Sequence, residues 1–310
     1  MLKTSLLKNK FIYTSLFAIF ILLFVCGCTV KNTTKSTENQ IIFKDALNRE
    51  ICVNKHPKRV AALIGSFADV WQLAGGEICA TAEDAWDDFG LSLENCVNIG
   101  GAHSPSLEKL LASEPDFVIA SASTSADVQM RESLENAGIT VAYFDVDSFE
   151  DYLDMLRICT DITDRKDLYK KNGLEIKDKI DGILKEYQNL CDLQENQTVL
   201  LLRASSGSVK AKGSEGTVLG EMLKSFGCKN IADSNKTLLE ALSIESIIAN
   251  EPYRIFVVSM GDDEKAIESI YKMINDNPAW KNLEAIKKNR FHIMERRLFN
   301  IKPNADWAKS

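Results

Sequence analysis

The chain carries a long-range echo of itself, and this limits its fold more than any other feature. Ser106-Leu-Glu-Lys-Leu-Leu-Ala-Ser-Glu-Pro115 returns 137 residues later as Ser243-Ile-Glu-Ser-Ile-Ile-Ala-Asn-Glu-Pro252. Of the ten positions, five are identical and three are Leu/Ile exchanges. Each copy reads as the same physical unit. Ser106 or Ser243 offers a hydroxyl to the unpaired amides at a helix start. Leu107, Leu110 and Leu111 are spaced i, i+3, i+4, as are Ile244, Ile247 and Ile248, so each set predicts one buried helix face. Pro115 or Pro252 closes the helix. A short apolar run follows each proline, residues 117–120 and 255–258, and suits a strand covered on both faces of a parallel sheet. Two such units predict an α/β protein with matching halves.

Other runs extend both halves. Residues 60–64 predict a strand that turns at Gly65-Ser66 into a helix over 67–73, and residues 140–144 predict another strand. In the second half, residues 198–202 and 291–294 read as strands, and 218–226 as a helix ended by Gly227. Between the halves, Leu168, Leu174, Ile176, Ile180, Ile183, Leu184 and Tyr187 form a broad helical stripe, with Asp164 as its N-cap. About 25 helical residues would span roughly 37 Å, enough to cross between lobes. The expected organisation is a first α/β lobe over 41–163, a long connecting helix over 164–194 and a second α/β lobe over 195–310. A stiff connector permits only modest opening and closing.

The N-terminus bears on where the body works. Lys3, Lys8 and Lys10 precede fifteen uncharged residues, 11–25, in the manner of a secretory leader over residues 1–27. Val25-Cys26-Gly27-Cys28 then resembles a bacterial lipobox, with Cys28 as the lipidated residue because Gly27 is small. An uncleaved anchor is the rival reading, since residues 11–30 approach spanning length. Either reading puts the body outside the cytoplasm, on the outer face of the cytoplasmic membrane. Residues 28–40 hold one apolar side chain, Val30, besides the cysteine, and read as a flexible tether. The chain has 37 basic and 44 acidic residues, a formal charge of −7. Without the leader's three lysines the balance is 34 against 44, which argues against nucleic acid as a partner. Six cysteines remain in the body (Cys52, Cys79, Cys96, Cys159, Cys191 and Cys228) with no C-x-x-C pair, so a zinc module is not expected and any disulfide pairing stays open.

Taken with the opening Phe43-Lys-Asp-Ala-Leu-Asn-Arg-Glu50 and Pro57-Lys-Arg-Val60, these features resemble one family over roughly 41–307. It is the helical-backbone class of ABC-transporter substrate-binding proteins, which serve ferric siderophore, haem and cobalamin importers. The resemblance implies two Rossmann-like βα lobes joined by a single long helix, with the ligand cleft between them. Leu298-Phe-Asn-Ile-Lys-Pro-Asn304 with Trp307 is similar to the stretch leading into the family's final helix, which Ser310 leaves incomplete. The resemblance also implies that Glu108 and Glu245 dock on arginines of a permease dimer driven by an ATPase. The competing view makes each glutamate a capping-box partner or a solvated charge.

A cleft at strand C-terminal ends and helix N-termini would draw its lining from the loops there. Candidates are Ser66, Phe67, Trp86, His103 and Ser123 in the first lobe, and Arg203, Lys212, Met260, Arg296 and Arg297 in the second. Trp86 offers a face for a planar ligand, or is a core residue. His103 could touch a ligand or a metal centre, or lie on the surface. The four cations would favour an anionic ligand if they converge, and are otherwise solvated. Three histidines are too few for a His-rich metal site, and no catalytic motif is present. The expectation is a monomeric, membrane-tethered binding protein without a permanent cofactor. It would carry a metal chelate, a ferric siderophore before cobalamin or haem. A sensor or an enzyme on a two-lobed scaffold is the alternative.

Overall fold

The structure is a computed structural model and describes residues 35–36, 38–191, 197–301 and 305–309. The leader and the lipid acceptor Cys28 fall outside the described residues. The apolar runs become strands of two sheets. Ahead of them lies a small antiparallel sheet, β1 (Lys35–Ser36), β2 (Gln40–Lys44) and β3 (Glu50–Asn54). The alternation in β2 and β3 turns Ile41, Phe43, Ile51 and Val53 into the first lobe's core. Here the tether expectation needs correction. Lys35 and Ser36 pair with Ile42 and Ile41, because strand pairing uses backbone groups and needs no apolar side chains.

The first main sheet contains β4 (Val60–Ala62), β5 (Ile78–Thr81), β6 (Val97–Asn98), β7 (Phe117–Ser121) and β8 (Thr140–Phe144). All pairs are parallel, in the order β6-β5-β4-β7-β8. Every residue of β7 is buried. Phe117 and Ile119 face a cluster with Trp71 and Tyr152, and Val118 and Ala120 face another with Leu110, Leu134 and Tyr143. The chain enters at β4, runs outward to β6, then returns to β7 beside β4. This reversal opens a crevice at the C-terminal strand ends.

The second sheet holds β9 (Thr198–Ser205), β10 (Ser208–Lys212), β11 (Lys229–Asn230), β12 (Arg254–Ser259) and β13 (Phe291–Met294). Its order is β10-β9-β12-β13, with β11 also on β9. Only the β9–β10 hairpin is antiparallel among these pairs. Leu200, Leu202, Ile255 and Val257 pack on one face, and Val199, Leu201 and Val258 on the other.

Both echo helices form, Leu107–Ala112 and Ile244–Asn250. Ser106 caps the first by accepting the Lys109 amide, and Ser243 caps the second by accepting the Ser246 amide. Leu110, Ile244 and Ile247 are buried, but Ile248 is 44% exposed. The segment between the sheets is helical with an irregularity. Lys166–Tyr169 leads through a wider π-helical turn, Lys170–Leu174, into Glu175–Cys191. Asp164 is not its N-cap: at φ 55° it sits in the left-handed region just after the Phe149–Ile162 helix, which it ends. Ile176 and Ile180 pack on the first core, whereas Leu174 and Ile183 are 41% and 45% exposed.

Candidate functional site

At the first sheet's C-terminal edge, buried carboxylates hold the loops in place. Gly65 begins the Gly65–Leu73 helix, and its amide donates to Asp84 Oδ2 at 2.9 Å. A Cβ at Gly65 would stand 2.4 Å from the Ala85 nitrogen, so the approach needs glycine. Asp127, fully buried, accepts the Ser121 amide at 2.8 Å. Burial raises its pKa to about 7, the Ser121 bond opposes the rise, and nearby Asp84 adds to it. Asp84 is raised as well, chiefly by burial.

Of the first-lobe candidates, Ser66 and Phe67 are buried, at 4% and 1% exposure. Phe67 packs edge-on against Phe144, which makes it a core residue rather than part of an open lining. A ring at the start of a helix looks alike in sequence whether it faces a crevice or the sheet. Trp86 is half-buried against the first core. His103 is exposed, and Ser123 is exposed with its hydroxyl 3.0 Å from that of Ser121.

The second lobe gathers positive charge. Lys210 registers with Arg203, and Lys212 with Leu201. Leu201 and Arg203 are two residues apart, so Arg203, Lys210 and Lys212 share one sheet face. Val258 and Met294 continue the row on the neighbouring strands. The Arg203 Nε is buried and has no acceptor among the described residues. Burial lowers the Arg203 pKa, and burial first, then Arg203 and Lys210, lowers that of Lys212. The sequence placed Lys212 in a loop, but it lies on β10, an edge strand formed by a two-residue turn at Ser206-Gly207. Met260 follows β12 and is 46% exposed.

Arg296 and Arg297 do not join this row. The Arg296 guanidinium ion-pairs with Asp88 of the first lobe, and its Nε lies 3.3 Å from Asp263. Arg297 lies 3.8 Å from both Asp69 and Asp306, and 4.3 Å over the Phe89 ring. Asp69 is raised to about 6 by burial, against the pull of Arg297. Asp69, Asp88 and Phe89 were missed as partners, because nothing local in a sequence joins residue 88 to residue 296.

Glu108 and Glu245 occupy the same position, the second residue of each echo helix, and both are exposed. Neither completes a capping box, since the third helical residues are Lys109 and Ser246. Glu245 accepts the Ser243 hydroxyl at 2.9 Å. Its carboxyl is held below the usual range by its own backbone amide and by Ser243. Among the described residues, no three His, Cys, Asp or Glu side chains converge as a metal site. Among the described residues, Cys52, Cys79, Cys96 and Cys159 are free thiols. No helix of the described residues is long and apolar enough to cross a membrane.

The pattern of the family described as periplasmic binding protein matches residues 60–298. An Fe(3+)-citrate-binding protein of Bacillus subtilis is 23% identical over 301 residues, covering 93% of this chain and 90% of its own. An uncharacterised ABC transporter substrate-binding lipoprotein of the same organism is 23% identical over 299 residues, with the same coverage of 93% and 90%. The crystal structure of a periplasmic catecholate-siderophore binding protein from Vibrio cholerae superposes with a TM-score of 0.68 at 14% identity, covering 87% of this chain and 96% of that one.

Proposed function

The chain belongs to the periplasmic binding protein family, whose members are binding proteins rather than enzymes, and from that premise we propose that it delivers an anionic ferric chelate of the siderophore type to an ABC importer. In this reading residues 1–27 are a leader, Cys28 carries the lipid, and two lobes over 41–163 and 195–310 enclose the ligand. The names of the relatives, one an Fe(3+)-citrate-binding protein and one a transporter lipoprotein, support the cargo and the anchoring.

The observation that carries the reading is the row Arg203, Lys210 and Lys212. A half-buried guanidinium with an unfilled donor, beside two ammonium groups, is poorly solvated and self-repelling when empty. An anion with carboxylate or catecholate oxygens would fill the donor and neutralise the row. Trp86, half-buried on the opposing lobe, supplies an apolar face and an optical reporter. Glu108 and Glu245 serve as docking points for the permease.

Intrinsic tryptophan fluorescence against ferric citrate, catecholate siderophores, haem and cobalamin tests the proposal. Saturable quenching by a ferric chelate is expected. Arg203→Ala is expected to weaken that binding by roughly tenfold or more, the loss typical of one charge-assisted contact. Saturation by haem or cobalamin alone would replace the chelate, and an unchanged titration in Arg203→Ala would remove the cationic row from the site.

A further inference from the structure

Arg296 and Arg297 stand on a short helix, Arg296–Phe299, that follows β13 after one residue. The backbone there is fixed to the second lobe, because the Asn300 side chain donates to the Ser259 carbonyl at 2.8 Å. The two guanidinia nevertheless reach the first lobe. Arg296 touches Asp88, which follows the Asp84–Asp87 helix, while its Nε faces Asp263 at the head of the Asp263–Asp276 helix. One guanidinium thus bridges a carboxylate of each lobe, and both carboxylates lie past the C-terminal ends of strands, at the rim of the crevice. Asp263 is itself oriented by the Ser259 hydroxyl, at 2.7 Å. Arg297 adds Phe89 and Asp69 as a second point of attachment. Farther along, the Trp307 ring lies tilted against Phe149 of the first lobe, with centroids 5.8 Å apart.

We propose that Arg296 is a positioning residue that latches the two lobes at one angle, with Arg297 as its second anchor, rather than a contact for the ligand. Two lobes joined through a single helical segment keep one soft motion, the opening of the crevice between them. Ion pairs at the rim act directly on that motion. The side chains of Arg296 and Asp88 are each 23% exposed, so water screens their pair less than a surface pair. An anion at this guanidinium would compete with Asp88 at Nη2 and with Asp263 at Nε, whereas the row at Arg203 presents a buried donor with no acceptor among the described residues. A latched cleft binds better because a larger fraction of molecules is ready to bind. The consequence for affinity rests on the proposed binding function; the latch itself does not.

The test uses the full chain in detergent, with two dyes attached through non-canonical residues at Gln129 and Lys272, both exposed and one on each lobe. Energy transfer then reports lobe separation without ligand. Arg296→Gln and Asp88→Asn, which break the latch from opposite sides, are each expected to lengthen and broaden the distance distribution. The charge-swapped pair Asp88→Arg with Arg296→Asp is expected to restore it, which a merely stabilising contact would not require. Wild-type distributions in both single variants would overturn the proposal. With ferric citrate as probe, Arg296→Gln is expected to weaken binding about threefold to tenfold through a smaller competent fraction. Abolished binding with an unmoved distance would make Arg296 a ligand contact and end the latch. If the distance shifts while the wild type binds no ferric chelate, the latch stands and the binding function falls.

Discussion

At the scale of single residues, Asp127 is the carboxyl group pushed furthest from its ordinary form among the described residues. Its carboxyl is fully buried at the crevice edge of the first lobe and titrates near 7, against 3.8 for an unperturbed aspartate. The native state therefore keeps a proton that the unfolded chain releases from about pH 4 upward. Native protein binds more protons across that window, so this group's contribution falls as pH rises and levels off above about 7. Asp127→Asn imitates the protonated acid and keeps an oxygen for the Ser121 amide. The gap in unfolding free energy between Asp127→Asn and wild type is expected to widen in the variant's favour from pH 5 to pH 7.5. The slope is at most about 1.4 kcal/mol per pH unit. Parallel stability curves, measured by urea unfolding across that range, would show that the fold carries Asp127 as an ordinary carboxylate. Such a residue is invisible beforehand. Ser125-Ala-Asp127 reads as an ordinary helix start, and only the return of the chain beside Asp84 gives the carboxyl its neighbour.

Among the elements, the strands with apolar runs were legible and the short or polar ones were not. β4, β7, β8, β9 and β12 are buried along most of their length, which requires a nearly unbroken apolar run, whereas β13 is a half-buried edge strand legible only from its apolar letters. β10 carries Lys210 and Lys212 on the face it shares with Arg203, and reads as a polar loop. β6 and β11 are two residues long and exist through their neighbours' hydrogen bonds. This division explains the partial view of the site: the row's cations were visible as residue types, but the strand that aligns them was not. The echo proves deeper than its letters. Each copy ends at a glutamate before proline in the left-handed region, Glu114 at φ 48° and Glu251 at φ 38°. A side chain costs about 1–2 kcal/mol in that conformation, while glycine adopts it freely at some entropic loss in the unfolded chain. Glu114→Gly and Glu251→Gly are each expected to stabilise the fold by about 0.5 kcal/mol. A fall in thermal midpoint for either would mean that the carboxylate, not the backbone, sets the choice there.

For the whole molecule, the proposed docking gives the repeated unit a purpose through spacing. Glu108 and Glu245 sit at equivalent positions on equivalent helices, exposed and free of the capping-box contact that would otherwise account for them. Two carboxylates fixed on two lobes present a charge pair whose separation follows the lobe angle. In the proposed docking, a permease dimer would offer two equivalent cationic sites, and both would be met together. Rim charges of this kind act on association and registry and hardly on the distant ligand. Replacing both by alanine is therefore expected to abolish chelate uptake by cells while leaving the fluorescence titration of the isolated protein unchanged. Each single replacement should retain partial uptake, since one point of attachment survives. The latch enters the same argument: a chain with Arg296→Gln holds both carboxylates but at a variable separation. Its uptake should fall further than its affinity for the chelate, because docking requires the spacing as well as the charges. Uptake that falls only in proportion to affinity in Arg296→Gln would separate the docking surface from the lobe angle. Normal uptake in the double alanine variant would remove the glutamates from docking altogether.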